Sequence, residues 1–197
     1  GSEMCIRDRE ELLDVIDKFK KGNYTDTIII QEYIPGDDSH LFDAVVYADK
    51  NKKVKMVSFA QIGLQEHAPR MIGNAAVIIN GYSQYPGVEE QIEKIRKFTE
   101  KIGYQGFAEF DMKYDARDGK YKVMEINARQ GRCSYYITPA GFNLIELLYK
   151  DLIEGKELKY KICDKEVLET FVPKCVVKKY ITNEEFKKKA LSMWKDR

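Results

Sequence analysis

Between Asp8 and Lys21 the residues Leu12, Leu13, Val15, Ile16 and Phe19 recur at helical spacing on one broad face with charges opposite, and Gly22 and Asn23 end the helix. The β-branched run Thr27 to Ile30 reads as a short strand. A turn at Pro35 to Asp38 leads into strands over Leu41–Tyr47 and Val54–Gln61, joined across the polar segment Asp49 to Lys52. Gly63 to Gly73 is irregular and polar, and Ala75–Ile79 returns to a strand. From Pro86 to Ile102, Ile92, Ile95, Phe98 and Ile102 keep helical spacing, with the proline in the first turn and Gly103 past the end. Phe107–Tyr114 and Tyr121–Ile126 form a second hairpin across Asp115 to Gly119. A helix over Phe142 to Ile153 stops at Gly155, and a strand over Phe171–Tyr180 precedes a charged helix from Asn183. Tight hairpins with helices inserted between them predict an α+β fold, a mostly antiparallel sheet with flanking helices. There is no internal repeat and no low-complexity linker.

A chain of 197 residues with 44% hydrophobic residues can build one ordinary core. Lys and Arg (33) nearly cancel Asp and Glu (32), so the net charge of +1 provides no broad basic field for a nucleic acid. The 13 tyrosines and nine phenylalanines therefore read as strand and core residues, not as base-stacking platforms. Cys5, Cys133, Cys163 and Cys175 are too far apart for a metal or redox pair, and His40 and His67 are too few and too separated for a histidine metal site. Nothing marks export and no apolar run approaches a membrane span, so the chain reads as cytoplasmic, with free thiols and no membrane partner.

The stretch Gly106–Arg132, GFAEFDMKYDARDGKYKVMEINARQGR, carries the chemistry. Glu109 and Asp111 are two apart on one strand, and Glu125 and Asn127 are two apart on its partner, so each pair shares a face. A hairpin that brings those faces into register clusters Asp111, Glu125 and Asn127, all hard oxygen donors suited to Mg²⁺ shared with phosphate oxygens. Arg129 and Arg132 follow, adding fork-shaped cations where phosphoryl charge would develop. The alternative is a solvated amphipathic face with cross-strand ion pairs. Glu109 is open between substrate contact and pairing with a neighbouring lysine.

MEINARQGR resembles the ATP-grasp signature E-x-N-x-R, and GFAEFDM resembles the strand that supplies that family's other metal-binding acid, with Asp111 at its position. QEYIPGDD resembles the family's adenine hinge. The resemblance covers about Thr27 to Asn143, and NARQGRCSYYITPAGFNL is similar to the carboxylate–amine ligase branch, D-aspartate-ligase-like members in particular. It implies ATP and Mg²⁺ as cofactors. Asp111, Glu125 and Asn127 would hold the metal, Arg129 would meet the transferring phosphoryl group, and Arg132 would meet that group or the acyl phosphate. The backbone around Tyr33 and Ile34 would meet adenine, preceded by Gln31 and Glu32, with Asp38 toward ribose or substrate. Arg70, in the segment Gln61–Asn74 where the family places a loop over the site, is the further candidate for a phosphate or carboxylate contact; an ordinary charged loop is the alternative there. The implied reaction joins small-molecule carboxylate and amine substrates through an acyl phosphate.

The chain departs from that family before the hinge: one helix precedes it, Lys18, Lys20 and Lys21 lie on that helix and not on strands, and there is no Gly-rich loop. Gly1-Ser2 reads as a cloning remnant and EMCIRDR resembles a junction at a broken reading frame. The expected organisation is a remnant and leading helix at 1–26, the ATP-grasp C-terminal region at 27–160, and a strand-and-helix appendage at 161–197. A truncated ligase of low or no activity is expected, associating with itself through apolar surface left by the missing lobe. The competing reading is a non-catalytic nucleotide-binding or interaction module with the same sheet.

Overall fold

The computed structural model describes residues 6, 8–22, 24–66, 71 and 73–194. It divides into two compact units, Gly1–Ile34 and Pro35–Arg197. In the first, helix α1 (Arg9–Lys21) begins where the Asp8 carboxylate accepts the Glu11 N–H at 2.9 Å, and its last turn carries Lys18, Lys20 and Lys21, complementing the helix dipole. The expected strand at Thr27–Ile30 is not formed. Ile28, Ile29 and Ile30 are exposed, and no described strand within that unit offers their backbone a partner.

The second unit is built on one sheet of eight strands among the described residues: β1 (Leu41–Ala48), β2 (Val54–Ser58), β3 (Ala60–Gln65), β4 (Ala75–Asn80), β5 (Gly106–Asp115), β6 (Lys120–Asn127), β7 (Lys161–Cys163) and β8 (Val167–Thr170). The order is β6-β5-β1-β3-β4-β8, with β2 beside β1 and β7 beside β2. All pairings are antiparallel except β2–β7. Helices α2 (Val88–Lys101), α3 (Leu144–Leu152), α4 (Lys174–Tyr180) and α5 (Glu184–Met193) flank it.

Strand β1 is buried along its whole length because both faces are covered. Phe42, Ala44 and Val46 pack with Ile92 and Ile95 of α2 and with Phe110 and Met112 of β5. Leu41, Val45 and Tyr47 point the other way, into a core with Met56, Ile78, Tyr136 and Leu144. Asp43 belongs to this second set by alternation and is the one acid in the strand.

The segment 161–197, set apart as an appendage in the sequence reading, supplies β7, β8 and a third core in which Val177, Ile181, Phe186 and Ala190 meet Leu64, Val77 and Ile79. The strand expected over Phe171–Tyr180 is instead α4, which starts after Pro173. The β-branched residues there suggest a strand, but Val176 and Val177, adjacent in sequence, both pack on this one core, which the alternation of a strand would not allow and a helix does. Cys133, Cys163 and Cys175 are free thiols. No helix among the described residues is long and apolar enough to cross a membrane.

Candidate phosphate and metal site

The β5–β6 hairpin is closed by a charged turn. The Asp115 carboxylate accepts the Arg117 N–H at 3.0 Å and the Lys122 ammonium at 2.7 Å, and Gly119, at φ 69°, donates its N–H to the Asp115 carbonyl at 2.8 Å. These cations hold the Asp115 carboxyl well below the usual carboxylate range. The turn sets Asp115 opposite Lys120 and Met112 opposite Val123. One residue further the register shifts: Asp111 lies opposite Glu125 and Glu109 opposite Asn127, leaving Met124 as a β-bulge. Without that bulge Asp111 would face Met124, and Glu125 and Asn127 would point to the opposite side of the sheet.

With it, Asp111, Glu125 and Asn127 share one face. The Asn127 amide donates to Asp111 Oδ2 at 3.0 Å, and its Oδ1 accepts from the Arg129 guanidinium at 3.2 Å. Asp43 pairs with Asp111 across β1–β5 and Val45 with Glu109, so the same face continues inward to Asp43. Burial falls from Asp43 (3% exposed) and Glu109 (7%) through half-buried Asp111 to exposed Glu125. Burial first, then Asp111, pushes the Glu109 carboxyl up to about 7, against the opposing pull of Arg129. Burial, then Glu109 and Asp111, also raise the Asp43 carboxyl well above the usual carboxylate range. The concentration of negative charge favours a cation at this face.

Among the described residues no three His, Cys, Asp or Glu side chains stand close enough to hold a metal ion by themselves. The donors on this face are two carboxylates across a strand pair and an amide oxygen, a set that fits Mg²⁺, which completes its shell with water and phosphate oxygens and seldom uses an all-protein cage.

The loop after β6 carries the two arginines. Arg129 lies 3.9 Å from Glu109 and also donates to the Gln130 carbonyl at 3.1 Å. Gly131 is packed on the Glu109 carboxylate so closely that an added Cβ would stand 1.6 Å from Oε1. Gly131→Ala should therefore displace Glu109 or the loop and cost about 1–3 kcal/mol by overpacking. Chemical denaturation of the variant checks this. Arg132 lies 3.4 Å from Met71 Sδ and 3.8 Å from Glu66. Gln130, Gly131, Arg132, Ser134, Tyr135 and Asn143 line part of a cavity of about 210 Å³ beside this loop. Arg70 and His67 lie outside the described residues.

The hinge-like residues do not form a single feature within the second unit. Gln31, Glu32, Tyr33 and Ile34 lie outside helix and strand in the first unit, with Tyr33 exposed. Asp38 lies in the second, where its carboxylate accepts the Gln65 N–H at 2.7 Å. Beside it, Asp37 accepts from Ser39 and from Thr182 and meets His40 Nδ1 at 3.1 Å, which ties the short turn Asp38–His40 to the start of α5.

Two buried groups near the site, Asp43 and Tyr136, and the half-buried Glu169 escape a reading of the sequence. Asp43, Tyr136 and Glu169 come from β1, the turn Tyr135–Ile137 and β8. The Tyr136 hydroxyl donates to Asp43 Oδ2 at 3.4 Å, and its backbone N–H donates to Glu169 Oε2 at 2.6 Å. The one usable signal was Asp43 itself, an acid inside the otherwise apolar strand LFDAVVYA. Tyr136 and Glu169 are remote in sequence from the hairpin and carry none.

No protein-family model matches the chain. It is 38% identical over 196 residues to a D-aspartate ligase of Enterococcus faecium, covering 97% of this chain and 45% of that protein's length. The chain thus spans under half of the curated relative it matches. Among solved structures, N5-carboxyaminoimidazole synthetase of Staphylococcus aureus complexed with ADP superposes with a TM-score of 0.61 at 12% identity, over 92% of this chain and 46% of that one. The biotin carboxylase domain of a thermophilic 2-oxoglutarate carboxylase, bound to bicarbonate, superposes with a TM-score of 0.58 at 18% identity, over 79% and 34%. At these identities the likeness is one of fold.

Proposed function

From the premise that this chain has the ATP-grasp fold and is a relative of D-aspartate ligase, we propose that it carries the Mg²⁺- and phosphate-binding end of an ATP-dependent carboxylate–amine ligase site. The observation that carries the reading is the bulged register that sets Asp111 against Glu125 with Asn127 hydrogen-bonded to Asp111. Asp111, Glu125 and Asn127 would hold Mg²⁺, and Arg129 and Arg132 would meet phosphoryl oxygens. The backbone at Tyr33 and Ile34, after Gln31 and Glu32, would contact adenine, with Asp38 toward the ribose or substrate. Arg70 keeps its proposed phosphate or carboxylate contact. The neighbour solved with ADP supports a nucleotide as the ligand.

In the proposed reaction a substrate carboxylate oxygen bonds to the γ-phosphorus of ATP as the bond to ADP breaks. An amine then bonds to the acyl carbon, phosphate leaves with the C–O electron pair, and the amine proton passes to solvent. Bound Mg²⁺ would offset charge on the phosphate oxygens. The side chains of this chain position and neutralise: the Arg129 guanidinium, already oriented by Asn127 and Gln130, presents its remaining donors to a phosphoryl group. The proposal includes a cytoplasmic location, where ATP is supplied, and self-association through exposed apolar residues such as Ile145, Tyr149 and Leu152 of α3. Light scattering that finds only monomer would count against the association.

The direct test is thermal unfolding with a non-hydrolysable ATP analogue. The expected outcome is a rise in melting temperature with Mg²⁺ and none with a chelator, since a ligand bound only by the native state raises stability. No rise under either condition overturns the reading. The chain alone is expected to turn over little ATP when supplied with acids and amines, because strand-borne phosphate lysines and a Gly-rich loop are not among its residues.

A further inference from the structure

A buried carboxylate with little to bond is costly. Removing such a group from water costs several kcal/mol unless hydrogen bonds replace the lost ones, and an apolar residue in its place is often neutral or stabilising. Asp43 is in that position. Its Oδ1 has no hydrogen-bond partner, and Oδ2 has the Tyr136 hydroxyl at 3.4 Å, a long contact. Its same-face neighbours along β1, Leu41 and Val45, belong to an apolar core, so an apolar side chain would suit that side of the strand more readily. A buried polar group kept under these conditions calls for an explanation in what it holds.

What it holds is Tyr136. That ring is fully buried, and its hydroxyl also meets Ser58 Oγ at 3.1 Å. Ser58 Oγ in turn accepts the Val45 N–H at 3.0 Å, which fixes it to β1. The backbone of the same tyrosine is pinned independently by Glu169 of β8. Tyr136 is two residues beyond Ser134, whose hydroxyl donates to the Gly131 carbonyl at 3.0 Å and accepts from Gln130 Nε2 at 3.2 Å. Hydrogen bonds, joined by the short backbone step from Tyr136 to Ser134, therefore connect Asp43 to the loop that bears Arg129 and Arg132. At its other end Asp43 is the direct cross-strand partner of Asp111.

We propose that Asp43 is a positioning residue of the phosphate and metal site: from the floor of the sheet it holds Tyr136, and Tyr136 holds the Arg129–Arg132 loop in place over the Asp111–Glu125 hairpin. The role of the loop in binding phosphate rests on the function proposed above. The anchoring does not, and the two can be tested apart.

Hydrogen exchange of the intact chain reads the anchoring. Asp43→Asn and Tyr136→Phe are expected to speed exchange of the amides between Arg129 and Ser134 by about tenfold, with those of α2 unchanged, because only one local opening is made easier. Unchanged exchange in the loop overturns the proposal, and so does an equal acceleration across the whole second unit, which is what a merely structural role predicts. Should Asp43→Asn fail to fold, Tyr136→Phe removes a single oxygen and carries the test alone. Nucleotide binding reads the connection to the site. Tyr136→Phe should weaken Mg²⁺-dependent binding of the ATP analogue by about tenfold in the wild-type background and by less than about twofold in an Arg129→Ala background, since residues that act through one another are not additive. Equal losses in both backgrounds overturn the link to Arg129. A wild-type chain that binds no nucleotide removes the proposed function instead, and the exchange result still decides the anchoring.

Discussion

Glu125→Ala is expected to abolish the Mg²⁺-dependent rise in melting temperature that an ATP analogue gives the wild-type chain. Glu125 is an exposed side chain on the edge strand β6, opposite Asp111. Its removal leaves no cavity, and it relieves repulsion from neighbouring carboxylates, so the ligand-free melting temperature should hold to within about 0.5 kcal/mol of stability. The ligand response should disappear. Loss of even a group behind a metal ligand weakens metal binding by roughly 10–100-fold, and loss of one of two carboxylate ligands belongs at the top of that range or beyond. A hundredfold loss of affinity cancels about 2.7 kcal/mol of ligand-derived stability at saturating nucleotide, enough to erase the shift at ordinary concentrations. Calorimetry of unfolding with and without nucleotide separates the two effects. A variant that keeps the full shift would show that the hairpin acids do not hold the cation, and the proposed site would have to be abandoned.

Phe186→Ala should cost about 3–5 kcal/mol, the range for emptying a large aromatic site in a close-packed core. Phe186 lies on α5, close to the C-terminus, yet it is fully buried. Its ring occupies the space that a side chain at Gly63 of β3 would need, since a Cβ there would stand 1.9 Å from Phe186 Cε1. Gly63→Ala should therefore be destabilising from the other side of the same contact, and pairing it with Phe186→Leu should cost less than the two single changes added, because the smaller side chain makes room for the methyl. For a chain of this size the Phe186→Ala loss corresponds to a fall of roughly 10 °C in melting temperature. A fall of only a degree or two would mean that α4 and α5 are peripheral to the stability of the sheet.

Hydrophobic period, with turn and helix-end residues, located α1, α2 and α3 and the strands β1, β4, β5 and β6, because the spacing of their apolar residues is written into the sequence. It failed where the outcome depended on a partner. Thr27–Ile30 has the β-branched composition of a strand but no strand among the described residues of its own unit to pair with, and Lys174–Tyr180 is β-branched yet helical because its adjacent residues Val176 and Val177 both meet one core. The residue types of the candidate site were legible as well: two acids, an amide and two arginines in one short stretch can be read without coordinates.

Which way those side chains point could not be read. Alternation shows that Glu125 and Asn127 share a face, but whether it is the face of Asp111 turns on a single extra residue, Met124, and a one-residue shift in pairing reverses every side chain beyond it. The sequence alone thus determined the α+β class and the chemistry available. The folded sheet decided the convergence, by a bulge that sends Glu125 and Asn127 to the side of Asp111, and by burying Asp43 beneath them, with Tyr136 and Glu169 arriving from segments 93 and 33 positions from their partners. Such choices are made by pairing and packing between distant strands, which no local spacing encodes.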